Sequence, residues 1–268
     1  MLVGGRLANQ TKSARTETAA KVLLFDVETT PLLGYAYSRR ETDLIMVLEE
    51  KKIISFSWKW LGERQTHVLA LPDFPGFKKD NRDNRALILK LHELISSADI
   101  VVAHNANFDD KMAASDFVTL GLPPTAPHKT VCTLRVARSK FKFSSNKLDD
   151  LGQRLGLGRK AQTGGFKLWK ACMDGDLKAY AKMKAYNRQD TILLEKIYLK
   201  MRPWMTNHPA LKVREDTNKN PPCPQCDKRK LQNKGFNVSR SGRTPRLQCY
   251  ACGHWPPIAW VRKAWRLK

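Results

Sequence analysis

Acidic residues are scarce in this chain of 268 residues: 25 Asp and Glu stand against 48 Lys and Arg, a formal net charge of +23. Such an excess says nothing about fold, but it argues for a polyanionic partner. Long apolar runs are missing as well. Nothing approaches the roughly 20 apolar residues that a membrane-spanning helix requires, so nucleic acid fits the charge better than a membrane surface. The opening MLVGGRLANQTKSARTETAAK lacks the continuous apolar core of a secretion signal. Residues 1–20 therefore read as a flexible lead-in, and the protein as cytoplasmic. Cysteine is sparse too, with six residues, four of them confined to the last fifth of the chain. That clustering argues against a disulfide framework, which would spread its cysteines, and points to metal. No internal repeat is present.

What is there has a readable order. KVLLFDVETT reads as a first strand, and KKIISFSWKW with QTHVLALP as a hairpin-like pair. DNRALILKLHELISSA carries apolar residues at helical spacing behind an Asp/Asn-rich start. ADIVVAHN reads as a short buried parallel strand leading into the helix ANFDDKMAASDF. SNKLDDLGQRLGL and DLKAYAKMKAYNRQDTILLEKIYLKM are further amphipathic helices. Together they predict an α/β domain over residues 21–205, a mixed sheet with helices packed on it. A polar, proline-containing linker follows over 206–221, then a compact module over 222–258 and a basic, Trp-containing tail over 259–268.

In so basic a chain, the placing of the acids is informative. VLLFDVETT runs four apolar residues, Val22 to Phe25, into Asp26 and Glu28, which the two-residue strand period puts on one face. HNANFDD puts Asp109 at the start of a helix, and YNRQD puts Tyr186 and Asp190 at i and i+4 on another. Taken singly, each has a plainer explanation: a solvated strand-end Asp–x–Glu, a core tyrosine, a surface ion-pair partner for Asp190, and for His104 a local hydrogen bond. If the four carboxylates converge, they repel one another and lose hydration unless cations neutralise them. Oxygen-only ligands favour hard ions, Mg²⁺ or Mn²⁺.

The motifs FDVET, NANFD and YNRQD, in that order, resemble those of the DEDD 3′–5′ exonuclease superfamily. The Tyr186 spacing is similar to that of its DEDDy branch, which includes polymerase proofreading domains. TGGFKLWKACMDGD and the tail module resemble the polymerase-B-exonuclease-like, DnaQ-related enzymes often met in phages, which would place the protein in a bacterial cytoplasm. The resemblance implies a ribonuclease H-like fold, with a mixed five-stranded sheet whose first three strands form an antiparallel meander. It also implies two Mg²⁺ or Mn²⁺ ions clamping a scissile phosphate. Asp26 would bridge them, Glu28 and Asp190 would complete one, and Asp109 would hold the other partly through water. Tyr186 would orient the attacking water, since an ordinary phenol is a poor base at neutral pH. Asn105 and Phe108 would support the terminal nucleotide.

Two neighbouring features stay open. GGFKLW, with Phe166, Lys167 and Trp169, is either a base-stacking and phosphate-contacting loop or a tight turn anchored in the core. Trp58 and Trp60 share one strand face and read as packing, and Cys132 and Cys172 as inert core residues. Farther on, Cys223 and Cys226 with Cys249 and Cys252 form a CxxC…CxxC pattern. Two such knuckles close a tetrahedral Cys₄ site for one structural Zn²⁺, and a segment this small needs the metal to fold. It resembles a zinc ribbon. Between Leu211 and Lys268 there are 14 Lys or Arg against three Asp or Glu. Arg243 and Arg246 would meet phosphates and Trp255, Trp260 and Trp265 would stack on bases; the other reading is a solvated surface with Trp255 over a tiny core.

The expectation is thus a metal-dependent 3′–5′ exonuclease, with single-stranded DNA favoured over RNA and nucleoside 5′-monophosphates as products. The rivals are an exoribonuclease, an endonuclease acting through the same metals, and a non-catalytic nucleic-acid-binding protein.

Overall fold

The computed structural model describes residues 20–40, 43–209, 211, 221–239 and 242–265. Most of the expected lead-in and residues 212–220 of the expected linker lie outside them.

Five strands form the main sheet: β1 (Val22–Thr29), β4 (Ile53–Trp60), β5 (His67–Ala70), β6 (Ile100–Ala103) and β7 (Lys129–Cys132), in the order β5-β4-β1-β6-β7. β1, β4 and β5 pair antiparallel; β6 joins β1 in parallel and β7 joins β6 in parallel. This is the ribonuclease H-like sheet that the resemblance implies. A short hairpin of β2 (Leu33–Tyr35) and β3 (Met46–Glu49) interrupts the run from β1 to β4. It has no counterpart in the sequence reading, because its apolar residues are exposed and do not alternate.

The near-continuous apolar runs of β1 and β6 suit strands covered on both faces. One face carries Leu23, Phe25, Val27 and Val101 against α1 (Arg85–Ser96), α2 (Ala106–Thr119) and the start of α6 (Leu177–Met201). The other carries Val22, Leu24, Val102 and Val131 against α3 (Thr133–Lys140), α4 (Leu148–Arg154) and the end of α6. α6 begins where Asp176 caps it, accepting the N–H groups of Lys178 and Ala179.

Residues 164–169, read as a loop or turn, instead lead into a helix: α5 runs Phe166–Met173. Gly164 and Gly165 have positive φ, which lets the chain turn sharply before the helix starts. Cys132 packs against the core, as expected, and has a further local role. It is half-buried and its Sγ caps α3, accepting from Arg135 N–H at 3.5 Å.

Beyond α6, β8 (Leu231–Ser239) and β9 (Gly242–Cys249) form an antiparallel ribbon. The expected tail is partly helical, as α7 (Ile258–Trp265), which anchors through buried Val261.

Candidate active site

β1 presents its carboxylates because its neighbours on that face are polar. In the β1–β4 register Asp26 lies opposite Ser57 and Glu28 opposite Ser55, and the register shifts between Glu28 and Thr29. Such irregularities re-aim side chains at the end of a ladder. The same face of β4 meets α6 through three rungs. Ser55 Oγ donates to Asn187 Oδ1 at 3.1 Å, Ser57 Oγ donates to the Asn187 carbonyl at 2.7 Å and is hydrogen-bonded to Thr191 Oγ1 at 2.6 Å, and Lys59 Nζ pairs with Glu195. Two residues of strand advance about 6.7 Å and four residues of helix about 6 Å, so a step of two on β4 keeps pace with a step of four on α6. This ladder fixes α6 over the end of β1.

Asn187 then reaches back to the carboxylate-bearing face of β1. Its Nδ2 donates to Asp26 Oδ2 at 2.7 Å and to the Asp26 carbonyl at 3.2 Å. One turn along, Asp190 arrives buried, with Oδ1 lacking any hydrogen-bond partner. Carboxylate oxygens of Asp26, Glu28 and Asp190 lie within 4.8 Å of one another.

Asp109 stands beside this trio. β1 has no β6 partner beyond Leu24, and Asp109 Oδ1 accepts the Val27 N–H at 3.2 Å from the first turn of α2. Asn105 precedes that helix with φ 69°, a left-handed conformation that Asn tolerates better than most residues. Asn105 and Phe108 are exposed there. His104 is tied elsewhere, to Thr133 Oγ1 at 2.9 Å and to the Asn146 carbonyl at 3.0 Å, and burial lowers its pKa to about 4. The expected local role for His104 is what the geometry gives.

The crowding shows in the acidities. Burial first, then the charge of Asp190, raises Asp26 to about 7, against the pull of Lys160 and the Asn187 hydrogen bond. Burial and the neighbouring Asp26 hold Glu28 and Asp109 well above the ordinary carboxylate range. Burial also raises Asp190, opposed by Lys160.

Lys160, like Asn187, is a residue that sequence reasoning missed. It comes from the segment between α4 and α5, where its N–H is held by Asp149 Oδ1 at 2.7 Å. Its Nζ ion-pairs with Asp190 and donates to Tyr186 Oη at 2.8 Å. Tyr186 is raised above its usual value by burial and by Asp190, so it is a neutral phenol near pH 7. Trp169 packs edge-on against it, centroids 6.0 Å apart. Of the other GGFKLW residues, Leu168 is buried, while Phe166 and Lys167 face solvent. No motif in the sequence singles out Lys160; only the fold carries it 26 positions to Tyr186.

The second cluster is the cysteine set. Cys223, Cys226, Cys249 and Cys252 bring their sulfurs within 4.8 Å of one another, with Cys223–Cys252 at 3.8 Å and Cys226–Cys249 at 3.6 Å. A tetrahedral zinc site with Zn–S near 2.3 Å has S···S edges of about 3.8 Å, so the set fits that ion. Both knuckles are built alike. Asp227 and Gly253 each take positive φ, and their N–H groups bond to the carbonyls of Cys223 and Cys249 at 2.8 and 2.7 Å. His254 is not a ligand: buried, it donates from Nδ1 to the Pro203 carbonyl at 2.9 Å. Gln225 Nε2 donates to the Arg202 carbonyl at 3.0 Å, so both contacts seat the ribbon on the segment after α6. On the ribbon, Arg246 lies over half-exposed Trp255, centroid 5.7 Å away, and donates to the Lys234 carbonyl. The Arg243 and Trp265 side chains lie outside the described residues.

Residues 75–162 match the family model described as Exonuclease, RNase_T. That span is less than half of the chain; it includes Asp109 and Lys160 and leaves out β1 and α6. A search of curated proteins finds no match.

Proposed function

We propose that the chain, whose exonuclease-family segment makes it a phosphodiester hydrolase of the 3′–5′ exonuclease type, removes nucleotides from the 3′ end of single-stranded DNA as nucleoside 5′-monophosphates. The observation that carries this reading is the meeting of Asp26, Glu28 and Asp190 oxygens within 4.8 Å. In a chain of net charge +23, such a pocket of acids has no use as a mere anion-binding surface. The unpartnered Asp190 Oδ1 and the upward-shifted acids suit a hard divalent cation. Mg²⁺ or Mn²⁺ held by Asp26, Glu28 and Asp190, with Asp109 alongside, would supply Lewis acidity and a more acidic water.

The chain's own residues divide the remaining work. Asn187 holds the Asp26 carboxylate in one orientation. Lys160 balances Asp190 and donates to Tyr186 Oη, while the Tyr186 hydroxyl also hydrogen-bonds the Asp190 carboxylate, which sets the phenol beside the acid where a water would be oriented. Tyr186 therefore orients and does not act as the base. Asn105 and Phe108, exposed at the start of α2, would meet the terminal nucleotide. The ribbon, with Arg246, Trp255 and a bound zinc, would grip the strand farther from the cut and raise its effective concentration.

The test is digestion of 5′-labelled, 3′-tailed DNA and matched RNA with Mg²⁺, using Asp190→Ala as control. We expect a ladder shortening from the 3′ end, abolished by chelator and reduced at least about a thousandfold in the variant, as for loss of a catalytic group. DNA should be cut faster than RNA. An intact wild-type digest with either Mg²⁺ or Mn²⁺ would sink the proposal.

A further inference from the structure

From Arg135 to Lys160 the chain holds eight Lys or Arg against two Asp, and at its centre Lys140-Phe141-Lys142-Phe143 alternates base and ring. We infer that this segment, together with Trp204, forms a track that leads a single strand of nucleic acid from the ribbon to the carboxylate site. The inference rests on the exonuclease reading for the direction of travel, but not for the binding itself.

The rings are already ordered. Phe141 and Phe143 stack with centroids 5.1 Å apart and 16° between planes, and Trp204 meets Phe141 edge-on at 5.5 Å. The two phenylalanines are half-buried on the core, whereas Trp204 is 62% exposed and Lys140 and Lys142 face solvent. Arg154 lies over the Phe143 ring at 5.4 Å. An exposed aromatic flanked by cations is the combination that holds single strands, bases on rings and phosphates on charges. Beside the rings runs an open cleft lined by Ser144, Ser145, Asp150, Gln153 and Arg154.

Both ends of the track are anchored where the reading requires. Trp204 directly follows Arg202 and Pro203, whose carbonyls receive the ribbon's Gln225 and His254. At the other end the Asn146 carbonyl is held by His104, next to Asn105 and the α2 start. The five steps from Phe141 to Asn146, with a bend at Ser144, cover at most about 18 Å. α6 spans about 16 Å between Asp190 and Met201. A strand following this path would extend several nucleotides beyond the one being cleaved.

The experiment measures binding of fluorescent oligothymidylates of three and twenty nucleotides to the full chain in an Asp190→Asn background, where substrate survives. Lys140→Ala/Lys142→Ala and Trp204→Ala are compared at several salt concentrations. We expect each to weaken the long oligonucleotide about tenfold and leave the trinucleotide unchanged. For the lysine pair the salt slope should fall by about 1.4, since a single strand contributes about 0.7 per phosphate contact. Unchanged affinity and slope for the long oligonucleotide overturn the track, and so does equal weakening of both lengths. Turnover of an aryl ester of thymidine 5′-phosphate, with Asp190 intact, separates the two claims. If the wild type does not turn over this ester while the length-dependent loss persists, the exonuclease reading fails and the track stands.

Discussion

Asp26 is shifted from an ordinary value near 3.8 up to about 7, mainly by burial and then by Asp190. In the unfolded chain it titrates near the ordinary value, so between the two the folded protein binds the extra proton. The stability that Asp26 contributes to the metal-free protein is present in full below about pH 4 and is lost as pH rises through about 7. Asn at this position stays neutral, so Asp26→Asn should gain on the wild type as pH rises across that window. Urea unfolding in magnesium-free buffer checks it, and a gap that stays flat with pH would show that Asp26 is not protonated in the fold. Added Mg²⁺ should narrow the gap at high pH by stabilising only the chain that binds it well. The acids themselves were visible in the sequence because each sits at the end of a patterned element. Asn187 and Lys160 were not, since their partners lie 161 and 26 positions away and only packing selects them.

The same limit separates what the elements disclosed from what they concealed. β1, β4 and α6 were legible because they run eight residues or more, and β6 because its four residues are all apolar and buried. β7 is four residues, β2 and β3 expose their apolar side chains, and α5 opens behind two glycines with an exposed Phe166, so none carries a periodic signal. The polar ladder between β4 and α6 was hidden in SFSWKW, where the tryptophans drew the reading and Ser55, Ser57 and Lys59 form a buried polar face. Its last rung, Lys59 with Glu195, is largely buried at 11% and 15% side-chain exposure. Lys59→Met alone leaves Glu195 buried without its cation and should cost about 3–5 kcal/mol. Lys59→Met/Glu195→Leu removes both charges and should recover most of that loss. Denaturant unfolding of the two variants decides it; a double variant as unstable as the single one would mean that the pair holds α6 by more than charge balance.

Charge and metal divide the molecule differently from the cores. Neither sheet-face core contains a residue of the ribbon, and among the described hydrogen bonds the ribbon's grip on the α6 end comes through Gln225 and His254. The ribbon's own stability must then come largely from its four sulfurs, because two strands and one short helix bury little apolar surface. Cys226→Ser should lower bound zinc from one equivalent per chain to none and unfold the ribbon. The nuclease domain should stay folded, and its turnover of the thymidine aryl ester should remain within about twofold, since the described hydrogen bonds of the module reach Arg202 and Pro203 and not the carboxylate site, and surface-remote changes have small effects. Long single strands, which gain from a second point of attachment, should bind at least about tenfold more weakly. Zinc content by metal analysis, ester turnover and oligonucleotide affinity on one preparation read all three. Loss of ester turnover along with the zinc would mean that the ribbon, through Arg202 and Pro203, braces α6 and with it Asp190, making the metal module part of the catalytic frame.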